Sequence, residues 1–212
     1  MAYSTYTPFI LEAMDRVPRL NLINSISGYK SANLIGTIDG AGRTNLAIFS
    51  SVVHIGSNPA MLAFIMRPTT VERHSYDNIQ ALGQYTINHV PSDLTAEAHY
   101  TSAKFDSETS EFQACGFMEE YYDGFQAPYV TGSAVQIGMK LEEVIPIKVN
   151  GTIMVIGSVH QLHIKTEIIE EDNALNLDQG SVATISGLNT YYKAHKIAKY
   201  PYARVGQFPK PI

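Results

Sequence analysis

A tight-turn dipeptide, Asn150–Gly151, separates two long runs of strand-forming residues, 134–147 and 152–164. Asn-Gly favours the positive φ angles of a short hairpin turn, so the two runs are predicted to pair as one long antiparallel hairpin. The regular alternation of strands and helices that a parallel sheet requires is absent from the chain. The sequence therefore favours an antiparallel, β-rich domain.

Four earlier apolar runs also have strand character and fit one sheet with this hairpin. The turn-forming segment Asp39–Gly42 joins the first two runs into a second hairpin. Pro91 ends the last run, because proline lacks the N–H that strand pairing needs. The four runs are 32–38, 43–49, 61–66 and 85–90.

Helical patterns are short and lie between the strands. Apolar residues at helical spacing predict a helix over 75–82, with Ser75 as its N-cap. Residues 93–125 are predicted to form a helical insertion that packs on the sheet. Residues 187–193 are predicted to begin a helical turn, and the proline-containing segment 200–211 to form an extended tail.

The composition is that of a globular protein with one core. Hydrophobic residues make up 45% of the 212 residues and charged residues 17%, which excludes a long disordered segment and a coiled coil. We therefore predict a single domain over residues 1–212, with its core at about 19–200. Its fold class is mainly β, a small antiparallel barrel with peripheral helices.

Charge and cysteine content restrict the classes of binding partner and the cellular compartment that are expected. The net charge of −5 argues against nucleic acid and anionic membranes as partners, because both bind basic surfaces. The single cysteine, Cys115, cannot form an intramolecular disulfide, and the first residues lack the pattern of a signal peptide. The longest apolar stretches are too short to cross a bilayer as a helix. A cytoplasmic location is expected.

Polar and basic residues concentrate between Thr44 and Asn78. Ser50 and Ser51 follow a predicted strand, and basic residues follow the next strand at the start of the predicted helix. Hydroxyl groups, guanidinium groups and a helix N-terminus together suit a phosphate group. The residues alone also fit a structural interpretation, in which the serines end a strand or cap a helix and the arginines are solvated.

The same region resembles a known family in both the order and the spacing of its motifs. The matching segments are Leu34–Ser51, Asn58–Pro59, Arg67–Pro68, Ser75–Ile79 and Tyr85–Asn88. They resemble the flavin reductase-like, FMN-binding split-barrel family. Weaker similarity continues through 153–159 and 187–192, so that the resemblance covers about residues 19–200.

The resemblance implies an FMN-binding split barrel that forms a homodimer, with the isoalloxazine ring at the dimer interface. Asn45, Leu46 and Ala47 would line the flavin, and Ser50 and Ser51 would hold its polar chain or phosphate. Arg73 and Ser75 would complete the phosphate site, with Arg67 as a second cation. The full implied set is Asn45, Leu46, Ala47, Phe49, Ser50, Ser51, Arg67, Arg73 and Ser75.

The chain departs from the family pattern in two places. Residues 69–73 make the link after Arg67–Pro68 longer than usual, which leaves open which arginine reaches the phosphate. Thr152 stands where many members carry a histidine on the nicotinamide side of the flavin. The second departure weakens the expectation that NADH or NADPH is used efficiently.

The predicted function is that of an FMN-dependent oxidoreductase reduced by NADH or NADPH. No side chain is assigned as an acid or a base, and backbone N–H groups around 46–51 are expected to stabilise the reduced flavin. An electron carrier or redox sensor that docks on a protein partner is the alternative, which the threonine favours. A heme- or pyridoxal-related barrel is disfavoured, because residues 34–88 do not resemble those proteins.

Other chemically suggestive residues have simpler interpretations. His160 and His163 are three apart on a predicted strand and would point to opposite faces, so no metal site is predicted. Cys115 is interpreted as a packing residue. Tyrosines near the C-terminus fit either stacking on a flavin or packing. These tyrosines are Tyr191, Tyr192, Tyr200 and Tyr202.

Overall fold

Within residues 2–212, which this computed structural model describes, the backbone forms twelve strands and five α-helices. The first strands are β1 (Lys30–Ser31), β2 (Asn33–Ile38), β3 (Thr44–Phe49), β4 (Val53–Ser57), β5 (Ala60–Met66) and β6 (Gln84–His89). The later strands are β7 (Glu119–Glu120), β8 (Tyr129–Val130), β9 (Val135–Ile147), β10 (Thr152–Ile164), β11 (Ala183–Ser186) and β12 (Thr190–Lys193). The helices are α1 (Pro8–Ala13), α2 (Arg16–Ser25), α3 (His74–Leu82), α4 (Thr95–Tyr100) and α5 (Glu111–Ala114).

Seven of the strands form an antiparallel sheet in the order β3-β2-β6-β9-β10-β5-β4. Strands β3 and β4 lie at opposite edges, although only residues 50–52 connect them. A flat sheet would place these edges six strand spacings apart, about 29 Å. The connection spans at most about 15 Å. The sheet must therefore curl until its edges approach, which makes it a split barrel and confirms the predicted fold class.

The barrel interior is filled by alternate residues of its strands. Side chains that point inward belong to β2, β5, β6, β9 and β10, and the largest of them are completely buried. Burying a side chain of this size contributes about 1.5–3 kcal/mol. Members of this inner cluster include Ile35, Phe64, Tyr85, Ile87, Met139 and Val155.

A second apolar cluster lies on the outer face of β2 and β3. Leu34 and Leu46 point away from the barrel and pack with Phe112 and Cys115 of the α5 region. The small sheet β1-β11-β12 contributes Ala183 and lies beside the same cluster. β3 is therefore covered on both faces, by the barrel interior on one side and by α5 on the other.

The two predicted hairpins are confirmed. β2 pairs with β3, and β9 pairs with β10 along almost their whole length. Sequence reasoning missed β4, because this edge strand is mostly exposed and lacks a continuous apolar run. It also missed the N-terminal helices α1 and α2. Neither of these helices has a buried residue.

Two local predictions are wrong. Residues 187–193 form a hairpin turn and strand β12, not a helical turn, because residues 190–193 pair with β11. Ser75 is not the N-cap of α3: the helix begins at His74 and Arg73 occupies the cap position. The predicted insertion at 93–125 contains only α4, α5 and the short strand β7 between turns. The single-domain boundaries stay a prediction.

Candidate functional site

The residues of β3 alternate between two environments, because successive side chains on a strand point to opposite faces. Asn45, Ala47 and Phe49 lie on the inner face, where the ring of Phe49 meets that of Phe64 edge-on at 5.0 Å. Leu46 lies on the outer face and is completely buried in the second cluster. The side chain of Leu46 is therefore not available to a ligand on the inner face.

A buried hydrogen bond joins β3 to the first turn of α3. The amide Nδ2 of Asn45 donates to Oγ of Ser75 at 2.9 Å, and both side chains are buried. Asn78 of the same helix donates to the hydroxyl of Thr37 on β2 at 3.2 Å. These bonds fix the N-terminal end of α3 against the strands and bring two predicted site residues together.

The connection from β3 to β4 is attached to β5 through one serine. The Ser51 hydroxyl donates to the carbonyl of Ile65 at 3.0 Å and accepts from the N–H of Ile65 at 3.1 Å. Ser51 therefore has a structural task that the sequence did not reveal. Within residues 2–212, the hydroxyl of the adjacent Ser50 has no such bonds. Ser50 is therefore the freer donor of the two.

The predicted arginines lie in the segment between β5 and α3. Arg73 is half-buried, and its Nε and Nη2 both donate to the carbonyl of Pro68 at 3.3 Å. This contact closes the long link after Arg67–Pro68 and leaves part of the guanidinium group free, since arginine has five N–H donors. Arg67 is exposed. Both cations lie on the segment that leads into α3.

The open edge of β3 is partly occupied by a residue that sequence reasoning missed. The N–H of Leu46 donates to Oε2 of Glu111 at 3.0 Å, so this donor is not free for a flavin. Because outward-pointing donors alternate along an antiparallel edge, the next N–H on this edge belongs to Ile48. Burial raises the pKa of Glu111, and the Leu46 N–H partly opposes the rise. No local sequence signal identifies Glu111, because its partner lies 65 positions earlier in the chain.

Thr152, which was expected at the position of a family histidine, is bound within its own turn. Its hydroxyl donates to Oδ1 of Asn150 at 2.7 Å, and its backbone N–H donates to the same atom at 3.0 Å. Thr152 therefore stabilises the β9–β10 turn. It offers no ionisable group in place of the imidazole.

The remaining candidates have structural contacts. His163 stacks on Tyr122 with ring centroids 3.6 Å apart, and no group of three metal-ligating side chains occurs in the described part of the chain. Cys115 is buried, and burial raises the pKa of its thiol. Tyr191 contacts His99 at 3.1 Å. Tyr202 is exposed.

Cavities of about 320 and 330 Å³ occur in the C-terminal tail and at the end of β6, and neither is lined by any of the nine predicted residues. None of the helices in residues 2–212 combines the length and the apolar character needed to span a membrane.

Comparison with known proteins agrees with this fold. The description "flavin reductase like domain" belongs to a family model that matches residues 27–186. A flavin reductase candidate with a split barrel domain, from Shewanella frigidimarina NCIMB 400, shares 41% identity at a TM-score of 0.91 and covers 95% of this chain and 100% of its own.

Two more distant structures show the same fold. Nitrilotriacetate monooxygenase component B from Bacillus cereus has a TM-score of 0.82 at 15% identity, with 94% of this chain and 99% of its own covered. Flavoredoxin of Desulfovibrio vulgaris (Miyazaki F) has a TM-score of 0.70 at 19% identity, with 84% and 92% covered. With three quarters of its length matched by the family model, this chain belongs to the flavin reductase like domain family.

Proposed function

We propose that the protein binds FMN along the inner face and open edge of β3 and works as an oxidoreductase that is reduced by NADH or NADPH. The observation that carries the proposal is the buried Asn45–Ser75 hydrogen bond, which holds the start of α3 beside β3. This contact supports the proposal because it holds the segment that carries Arg73 beside β3, the strand that leads into the 50–52 connection. Polar donors from three parts of the chain can then reach one anionic ligand.

Each of these donors has a separate role toward FMN. Arg73 offers charge-assisted hydrogen bonds to the phosphate, and the N-terminal N–H groups of α3 add their partial positive charge. Ser50 offers a free hydroxyl to the phosphate or the ribityl chain. Arg67 is a second, exposed cation. Bound FMN supplies the acceptor and donor of a hydride or of single electrons.

The ring would lie along the open edge of β3. Ala47, on the inner face, is small enough to allow close approach, and the N–H of Ile48 points outward from the open edge. A donor in this position would stabilise negative charge on a reduced ring. The Leu46 N–H is excluded from this role by its bond to Glu111.

A homodimer would complete the proposed FMN site. Several large apolar side chains near the two ends of the chain are exposed, among them Phe9 at 81% and Phe208 at 94%. Exposed apolar groups in such numbers are typical of interaction surfaces. Sedimentation should give a species of twice the chain mass, and a monomer at micromolar concentration would contradict the dimer.

An electron carrier or redox sensor is the second candidate. It is favoured by Thr152, whose hydroxyl is bound to Asn150 and which supplies no imidazole for a nicotinamide. The structural similarity to a flavoredoxin agrees with this alternative.

An anaerobic absorbance spectrum of the FMN-loaded protein separates the candidates. Loss of the flavin band after addition of NADH or NADPH would support the oxidoreductase. A bound flavin that dithionite reduces and the nicotinamides do not would support the carrier. Failure to bind FMN would remove both.

A further inference from the structure

A cavity of about 330 Å³, with both polar and apolar walls, lies where the ends of β6 and β10 meet residues 180–182. The end of β6 is tied to this segment, since the N–H of Ser92 donates to the carbonyl of Ser181 at 2.8 Å. Apolar walls come from Leu94 and Val182. The cavity volume is at the lower end of the range of small-molecule sites.

One buried and unpaired polar atom lines this cavity, and two more belong to neighbouring residues. Nδ1 of His89, which lines it, is buried and has no hydrogen-bond partner. Oδ1 of Asn33, the residue opposite His89 across the β2–β6 ladder, is also unpaired. The same holds for Oγ of Ser133, which lies between two lining residues. Of the six such atoms in residues 2–212, one lines this cavity and two belong to residues that neighbour lining residues in the chain or across the ladder. An unpaired buried polar atom destabilises the folded protein, and a ligand that bonds to it offsets this cost.

Two opposite charges lie at the rim of the cavity. Lys165 and Asp93 both line it and are exposed, and neither forms an ion pair with any described residue. Lys165 follows β10 and His89 ends β6, with β9 between them. Two strand spacings separate the backbones at these positions by about 10 Å, so both side chains can reach one small molecule in the cavity.

We propose that this cavity binds a small monocarboxylic acid with a ring-sized apolar body and a hydroxyl group at its far end. The carboxylate accepts from Lys165, the hydroxyl bonds to His89, and the body packs against Leu94 and Val182. Asp93 disfavours a second acidic group on the ligand. This site is independent of the FMN surface and of the proposed function.

The chemistry of the imidazole fits a hydroxyl group. Burial lowers the pKa of His89 to about 4, so the ring is neutral at pH 7. A neutral imidazole has one donor and one acceptor nitrogen, and a hydroxyl can pair with either. The match therefore does not depend on the tautomer of His89.

Calorimetric titration with 4-hydroxybenzoate tests the proposal on the whole protein. We expect saturable binding of one molecule per chain, weakened by about tenfold in Lys165→Met. Lys148→Met, which changes an exposed lysine in the β9–β10 turn, is the matched control and should bind normally. Benzoate and phenol, which each lack one polar end, should bind more weakly.

Amide chemical shifts locate the bound probe. Shifts confined to Thr131, Gly180, Ser181 and their neighbours would support the cavity, both with and without FMN. The proposal would be overturned by absent binding, by equal weakening in both lysine variants, or by displacement of the probe when FMN is added. Because the titration also runs on FMN-free protein, its result is separable from failure of the proposed function.

Discussion

The inner face of β3 and the C-terminal end of β6 both carry polar side chains with buried atoms. The hydrogen bonding of these atoms differs between the two regions. Asn45 and Ser75 bond to each other beside β3. His89 and Asn33, at the end of β6 and β2, retain unpaired atoms. The first region is organised before any ligand arrives, which lowers the cost of binding. The second region leaves polar atoms that only a ligand or water can satisfy.

The largest effect is expected from Arg73→Ala at the organised region. Loss of a charge-assisted contact of about 1.5–3 kcal/mol should weaken FMN binding by about 10- to 100-fold. Fluorescence quenching of FMN measures the affinity. Arg204→Ala, in the C-terminal tail, is the control and should bind FMN normally. Equal affinity in both variants would remove Arg73 from the site.

The next effect concerns His89, at the end of β6, and the pH dependence of the free energy of unfolding. Because the folded pKa of His89 is about 4, below the ordinary value of 6.5, the unfolded state binds the proton more tightly. The contribution of neutral His89 to the free energy of unfolding is fully present above pH 6.5 and is lost as the pH falls toward 4. Between pH 7 and pH 5 the loss from His89 is about 2 kcal/mol.

Urea unfolding of wild type and His89→Gln at both pH values isolates this contribution. The variant should lose about 2 kcal/mol less than wild type between pH 7 and pH 5. Other titrating groups, including Glu111 with its raised pKa, contribute equally to both proteins and cancel. Parallel pH profiles would show that His89 is not buried in its neutral form.

Ser75→Ala should have an intermediate effect, because it leaves the buried amide of Asn45 without its acceptor. We expect a loss of about 1–2 kcal/mol in the free energy of unfolding, together with weaker FMN binding. Ser107→Ala, at an exposed position, is the control for the side-chain change. Unchanged stability of Ser75→Ala would mean that the bond does not organise the site.

The smallest effect should distinguish the two adjacent serines. Ser50→Ala should weaken FMN binding by a few fold, consistent with loss of one neutral hydrogen bond of about 1 kcal/mol, and should leave stability unchanged. Ser51→Ala should instead lower stability, because its hydroxyl bonds twice to Ile65. The opposite pattern would exchange the roles of these two residues.

The sequence was sufficient for the fold where the pattern was local. Both hairpins follow from turn residues between apolar runs, and the family motifs supply the closed architecture. β4 could not be predicted, because pairing with β5, not its own apolar content, makes it a strand. Residues 187–193 were assigned wrongly because pairing with β11 overrides the local pattern.

The candidate site was predictable as a set of residues but not as a set of bonds. Asn45 and Ser75 were both selected, yet their contact depends on how α3 packs across β3. Glu111 was missed because its partner is a backbone N–H 65 positions earlier in the chain. The cavity at His89 was missed because its parts come from distant segments.

The short connection between β3 and β4 has a mechanical consequence. Residues 50–52 bring the two free edges of the barrel together, and the proposed phosphate site lies on this connection and on the segment after β5. A ligand that bridges the two segments would hold the two edges of the barrel together. Its binding free energy would add to the cost of local opening, and amide hydrogen exchange in β3 and β4 would slow accordingly. Cofactor occupancy would then set the lifetime of the closed barrel.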